Sequence, residues 1–214
     1  GDEALIPDPG YPTYASAVKL AGGKAVTYLL KEERNWYPDL EALEATDLRK
    51  VKLMFVNYPH MPTGQQVNAG MFENLIRFAK ENQILLIHDN PYSFILNDHP
   101  VSLLEVPGAK EVVLELNSLS KSHNMAGWRI GMLCGSKERV EEVLRFKSNM
   151  DSGMFQPLQL AAAKALSLGA DWYSSINSIY SERRDKVYRI LDILGCNYEL
   201  NQVGLFVWAK IPDL

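Results

Sequence analysis

The chain has 214 residues, 47% of them apolar and 22% charged, a globular balance with enough length for one large domain or for one domain and part of another. The net charge of −4, with no basic run, argues against a nucleic-acid partner, and no apolar stretch approaches the roughly 20 residues that cross a bilayer. Gly1-Asp2-Glu3-Ala4 has no signal-peptide character, and two cysteines, Cys134 and Cys196, suit a reducing compartment, so a cytoplasmic location is expected.

The first distinctive stretch runs from Ile6 to Tyr14, where Pro7, Pro9, Gly10 and Pro12 predict a rigid loop. A helix follows over 15–21 and ends at Gly22-Gly23. Residues 25–30 read as a strand. Pro38 opens a helix with Leu40, Leu43 and Leu48 among its apolar positions. Leu53-Met54-Phe55-Val56 is a buried strand running into Asn57-Tyr58-Pro59-His60-Met61-Pro62-Thr63-Gly64, a stiff loop at a strand's C-terminal end, where open α/β sheets hold ligands. The spacing of Phe72, Leu75, Ile76 and Ala79 predicts an amphipathic helix over 71–80. Ile84-Leu85-Leu86-Ile87 then reads as a strand buried on both faces, as parallel strands are. It ends at Asp89, a carboxylate that is costly to bury without a cationic partner. By itself Asp89 reads equally as a helix cap or a loop ion pair.

Residues 97–107 form a connector with a short turn at 102–104, and 111–116 form the next strand. Then comes Ser118-Leu119-Ser120-Lys121-Ser122-His123-Asn124-Met125-Ala126-Gly127-Trp128-Arg129-Ile130-Gly131, followed by a strand over 130–134. A lysine isolated among small hydroxyl residues can be desolvated, which lowers its pKa and makes the amine a nucleophile toward carbonyls. Ser118, Ser120 and Arg129 can hold an anion beside it. The same residues also read as a plain turn of solvated side chains. Ser136 caps a helix containing Glu138, Val140, Val143, Leu144 and Phe146; residues 149–157 break it. A further helix covers 158–168 and stops at Gly169, and a long one capped by Asp171 runs to Leu194. Residues 204–208 read as a strand. His60, His88 and His123 receive no role.

The lysine stretch resembles the pyridoxal-phosphate lysine signature of the class I/II (fold type I) aminotransferases, the aspartate aminotransferase superfamily, over most of its fourteen residues. The resemblance implies an α/β fold in three layers, with a mostly parallel sheet carrying helices on both faces and one antiparallel strand at 130–134. It implies pyridoxal 5'-phosphate as cofactor and Lys121 as its Schiff-base lysine and catalytic residue. Ser118 and Arg129 would be phosphate ligands, and Tyr11 the ring stacked over the cofactor, although Tyr11 read alone also suits a packed position at the loop base. Asp89 followed three residues later by Tyr92 resembles the family's Asp-x-x-Tyr, with Asp89 paired to the ring nitrogen and Tyr92 bonded to the phenolic oxygen. No metal is implied.

One position departs from the pattern. The family has asparagine before Pro-Thr-Gly, where this chain has Met61, which cannot donate a hydrogen bond. Either a neighbour supplies the donor or the site is tuned differently. The resemblance further implies a large cofactor-binding domain over 1–150 lacking its N-terminal part, a helical linker over 151–194 and the start of a small domain over 195–214. The glycine-rich phosphate turn and the substrate-carboxylate arginine would lie outside the chain, so a truncated, inactive fragment is the expectation for the chain alone. The parent activity would be amino transfer between an amino acid, aspartate among the candidates, and a 2-oxo acid, in a homodimer. A C–S lyase or another β-eliminating enzyme shares the same motifs, and an aminotransferase-like ligand-sensing domain is a non-enzymatic alternative.

Overall fold

The computed structural model describes residues 1–212. Six strands, β1 (Glu3–Asp8), β2 (Lys24–Leu29), β3 (Val51–Val56), β4 (Leu85–Asp89), β5 (Val113–Ser118) and β6 (Gly131–Gly135), form one sheet in the order β2-β1-β3-β4-β5-β6. The first five are parallel, and β6 runs antiparallel to β5, as the resemblance implied. Side-chain alternation along the strands sorts the core into two layers. Leu5, Tyr28, Met54, Val56, Leu86 and Val113 pack with Phe72, Leu75 and Phe78 of helix α3 (Ala69–Asn82). Ala4, Ile6, Leu53 and Phe55 face the other way, against Tyr14 and Val18 of helix α1 (Thr13–Leu20). Helix α2 (Leu40–Glu44) is one short turn opened by Asp39, whose carboxylate accepts from the Ala42 N–H.

The expected loop over 6–14 is shorter than the prolines suggest, because β1 includes Ile6, Pro7 and Asp8. Proline is tolerated there for a geometric reason. The carbonyls of Asp2 and Asp8 accept from Lys24 and Leu30 beside β2, whereas the Glu3 N–H points to Lys50 beside β3. Odd-numbered residues therefore face β3, and the pairing with β3 stops at Leu5. The N–H that Pro7 lacks has no ladder to serve.

Beyond the sheet, α5 (Lys137–Met150) begins at Ser136, whose hydroxyl accepts from the Arg139 N–H, as read from the sequence. Helix α6 (Gln156–Leu166) packs Ala162 onto Leu119, Met125 and Ile130, so it backs the segment between β5 and β6. Helix α7 (Ala170–Ile193) starts two residues earlier than a cap at Asp171 implies: Gly169 is its cap, and Asp171 lies in the first turn, where its charge suits the helix dipole. The strand expected over 204–208 does not form. The Gln202 amide takes the place of a partner strand, accepting from the Trp208 N–H at 2.6 Å and donating to the Trp208 carbonyl at 2.7 Å. Only β7 (Asn197–Tyr198) and β8 (Ala209–Lys210) pair there. Among the described residues no helix is long and apolar enough to cross a membrane.

On the α3 side of the sheet, His88 and Glu115 sit opposite one another on β4 and β5 as a buried ion pair, Nδ1 to Oε2 at 2.8 Å. Ser102 Oγ and the Leu103 N–H also donate to Oε2, while His88 Nε2 meets the Tyr58 carbonyl. Burial pushes the Glu115 carboxyl up, but His88, Ser102 and Asn90 outweigh it and hold the group below the ordinary carboxylate range. A carboxyl lowered on folding contributes stability above its unfolded pKa and loses it as pH falls through the folded one. Glu115→Gln is therefore expected to lower unfolding free energy by about 3 kcal/mol at neutral pH. Urea titrations should show this deficit shrinking as the solution is acidified; a deficit independent of pH would contradict the ion pair.

Candidate active site

The C-terminal ends of β1, β3, β4 and β5 lie along one edge of the sheet, and the residues singled out by sequence cluster there. Asp89 closes β4 on the α1 side, opposite to His88. Its Oδ2 accepts a 2.7 Å hydrogen bond from the Tyr14 hydroxyl. Its backbone carbonyl accepts from Asn57 Nδ2 at 2.6 Å, and Asn57 Oδ1 in turn accepts from the Met61 N–H. On the next strand Asn117 Nδ2 donates to the carbonyl of Asn90, so β5 and β4 end in register. Burial drives the Asp89 carboxyl above its ordinary value; the Tyr14 hydrogen bond and the His88 charge offset this only in part. Such a carboxylate favours a cationic partner at its remaining oxygen.

Lys121 lies in α4 (Leu119–Ser122), a single turn directly after β5. Its position follows from the β5–β6 hairpin. Ser118 pairs with Gly131, and the Leu119 N–H donates to the Ile130 carbonyl, so the two ends of the intervening loop are pinned together. This brings Ser118 and Arg129, eleven positions apart in sequence, to one end of the sheet; a parallel crossover would have carried Arg129 to the opposite end. A Cβ on Gly131 would stand 2.6 Å from the Asn117 carbonyl oxygen, so only glycine permits this closeness. Ser118 Oγ accepts from the Ser120 N–H at 3.2 Å, which leaves its hydroxyl hydrogen free to donate. Arg129 adopts a left-handed φ of 51°, and one of its guanidinium nitrogens donates to the Ala126 carbonyl. The lysine turn is braced from behind by Trp172 of α7, whose indole donates to the Ser122 carbonyl at 2.9 Å.

Tyr11 is 46% exposed and meets Tyr14 edge to face, with ring centroids 5.7 Å apart, leaving a face of its ring open to a planar ligand. Tyr92 is buried, and its hydroxyl donates to Met61 Sδ at 3.6 Å. Burial, with Asp89 and Tyr11 nearby, pushes the Tyr92 phenol up to about 12. His60 bonds Thr63 through Nδ1 at 2.8 Å and, depressed to about 4 by burial, is a neutral brace of the Pro62-Thr63-Gly64 turn. Two contributors were missed in the sequence. Tyr14 was read only as the end of a loop, although Tyr11-Pro12-Thr13-Tyr14 has the three-residue spacing of neighbours on a helix. Asn57 was read only as the first residue of its loop, and no local pattern ties it to Asp89. The edge thus carries a half-buried lysine, a serine and an arginine with donors that can meet an anion, an open aromatic face and a desolvated carboxylate. These fit a planar, protonated heteroaromatic aldehyde that bears a phosphate.

Fold and site together define the class of fold type I pyridoxal-phosphate enzymes. The profile of the family "Aminotransferase class I and II" matches residues 1–214. The chain belongs to that family, whose members are pyridoxal-phosphate-dependent. It is 44% identical to the LL-diaminopimelate aminotransferase of Halothermothrix orenii over 215 residues, and 42% identical to that of Dehalococcoides mccartyi. In both cases 100% of this chain aligns with 55% of the relative, so the chain spans about half the length of these proteins. Among solved structures, apo-BacF from Bacillus subtilis superposes with a TM-score of 0.94 at 40% identity, covering 100% of this chain and 55% of that one. An aminotransferase from Staphylococcus aureus gives 0.90 at 31% identity, covering 99% and 56%.

Replacing Gly131 with alanine is expected to pry β6 from the Asn117 carbonyl and to cost about 1–3 kcal/mol of stability in urea titrations. Unchanged stability would show that the hairpin yields without strain.

Proposed function

We propose that the protein carrying this chain is a pyridoxal-phosphate-dependent aminotransferase, moving an amino group between an amino acid and a 2-oxo acid. One observation carries the reading. Lys121 sits half-buried between the pinned residues Ser118 and Arg129, in the turn that follows the strand next to the desolvated Asp89. Lys121 would hold the cofactor through its amine and would move the proton at the substrate Cα. Ser118 and Arg129 hold the phosphate, Tyr11 stacks on the ring, and Tyr92 donates to the phenolic oxygen. Asp89 holds the proton on the ring nitrogen. When bound, the cofactor supplies an electron sink for the carbanion left at Cα.

The relatives' names support LL-diaminopimelate, ahead of aspartate, as the amino donor to try first. We assign residues 1–150 to a large cofactor-binding domain, 151–194 to a helical linker and 195–214 to the beginning of a small domain; Asp213 and Leu214 lie outside the described residues. A homodimer and a cytoplasmic location complete the reading.

Borohydride reduction in the presence of cofactor, followed by peptide mapping, is expected to label Lys121. Label on Lys110 or Lys137 instead would overturn the assignment. Asp89→Ala is expected to slow single-turnover removal of the Cα proton at least a hundredfold, on the scale of losing about 3–4 kcal/mol of electrostatic stabilisation. A loss below tenfold would remove Asp89 from its role.

A further inference from the structure

We propose that Tyr14 is a positioning residue for Asp89: its hydroxyl keeps the carboxylate ionised and occupies Oδ2, so that Oδ1 alone is presented to the cofactor's ring nitrogen. The proposal rests on the role given to Asp89 above.

Tyr14 is poorly suited to any other task. It is 6% exposed, and its ring is stacked on Phe55 with centroids 4.9 Å apart and planes at 17°. Tyr11 abuts it edge-on at 82°. Held on both sides, the ring has no other direction in which to aim its hydroxyl, which lies 2.7 Å from Asp89 Oδ2. Asp89 Oδ1 takes no hydrogen bond from a described residue, so the two carboxylate oxygens are already divided between two duties.

The direction of the effect follows from the charges around Asp89. From α1 it faces the Tyr14 hydroxyl. On its own strand it feels His88, whose side chain lies on the other side of the sheet. From the loop after β4 comes the Tyr92 phenol, itself next to Tyr11. Asn57 reaches only the backbone carbonyl of Asp89. Burial and the adjacent Asp89 push the pKa of the Tyr14 phenol far above its ordinary value, so it remains a donor wherever the protein is folded. A donor to a carboxylate stabilises the ionised form. With Tyr14 in place, a proton shared between Asp89 and the ring nitrogen lies toward nitrogen, the arrangement that makes the ring an electron sink. Without it, the proton moves toward the carboxyl.

Tyr14→Phe keeps the ring stack and removes only the donor. In the cofactor-free protein, the ¹³C carboxyl resonance of Asp89 is expected to titrate at higher pH in the variant. With cofactor labelled with ¹⁵N at the ring nitrogen, the bound signal is expected to move from the pyridinium toward the pyridine position, and Cα proton removal to slow about tenfold. Incorporation of 3,5-difluorotyrosine at position 14, a stronger donor of nearly the same shape, should shift both resonances the opposite way, which a purely structural role would not do. An unmoved Asp89 titration, or an unmoved ¹⁵N signal on bound cofactor, overturns the proposal. Failure of the unsubstituted protein to retain the cofactor overturns instead the functional reading beneath it.

Discussion

A carboxylate at the dry end of a doubly covered strand is the constraint around which the ligand edge is arranged. β4 is apolar because both faces of the sheet are covered, and it delivers Asp89 to a place where ionisation is expensive. The neighbours respond from three directions. α1 sends the Tyr14 hydroxyl to the carboxylate, β3 sends Asn57 to the backbone carbonyl, and β5 sends Asn117 to the following residue. None of these contacts places a cation at the remaining carboxylate oxygen, which is the position the proposed function gives to a protonated ring nitrogen.

The opposite face of the same two strands solves a similar problem in the contrary way. His88 bonds Glu115, and Ser102, Leu103, Asn90 and Tyr58 meet the other polar atoms of the pair. That cluster is closed, whereas Asp89 keeps one carboxylate oxygen without a partner among the described residues. Alternation along β4, one residue apart, separates the structural charge from the chemical one.

Much of this was legible in the sequence wherever the information is local. The buried strand before Asp89, the Ser136 cap and the lysine stretch are all contiguous patterns, and the structure builds each at the place read. What was not legible depends on partners far along the chain. Tyr14 meets Asp89 across 75 positions, and no periodicity announces that contact. Pro7 argued against a strand until the neighbour's length was known, and the run over 204–208 had strand composition but lost its partner's place to the Gln202 amide. The question raised by Met61 narrows in the same manner. Asn57 is already engaged by the Asp89 carbonyl and the Met61 N–H, and Tyr92 spends its hydroxyl on the methionine sulfur.

The pinned hairpin between β5 and β6 makes the lysine loop a nearly self-contained cassette. Its ends are joined by ladder hydrogen bonds, its floor is a small apolar cluster with α6, and α7 struts it from outside through the Trp172 indole on the Ser122 carbonyl and the Tyr180 hydroxyl on Asn124 Oδ1. Residues inside such a loop can drift in sequence or length without disturbing the parallel strands, because no crossover is threaded through it. The amine and its two anion-binding flanks would then travel as a unit, while the carboxylate side stays tied to distant helices and strands. Grafting the amine chemistry onto another sheet is therefore a matter of one hairpin and one bracing helix, whereas grafting the electron sink would require transplanting most of the layer around β4.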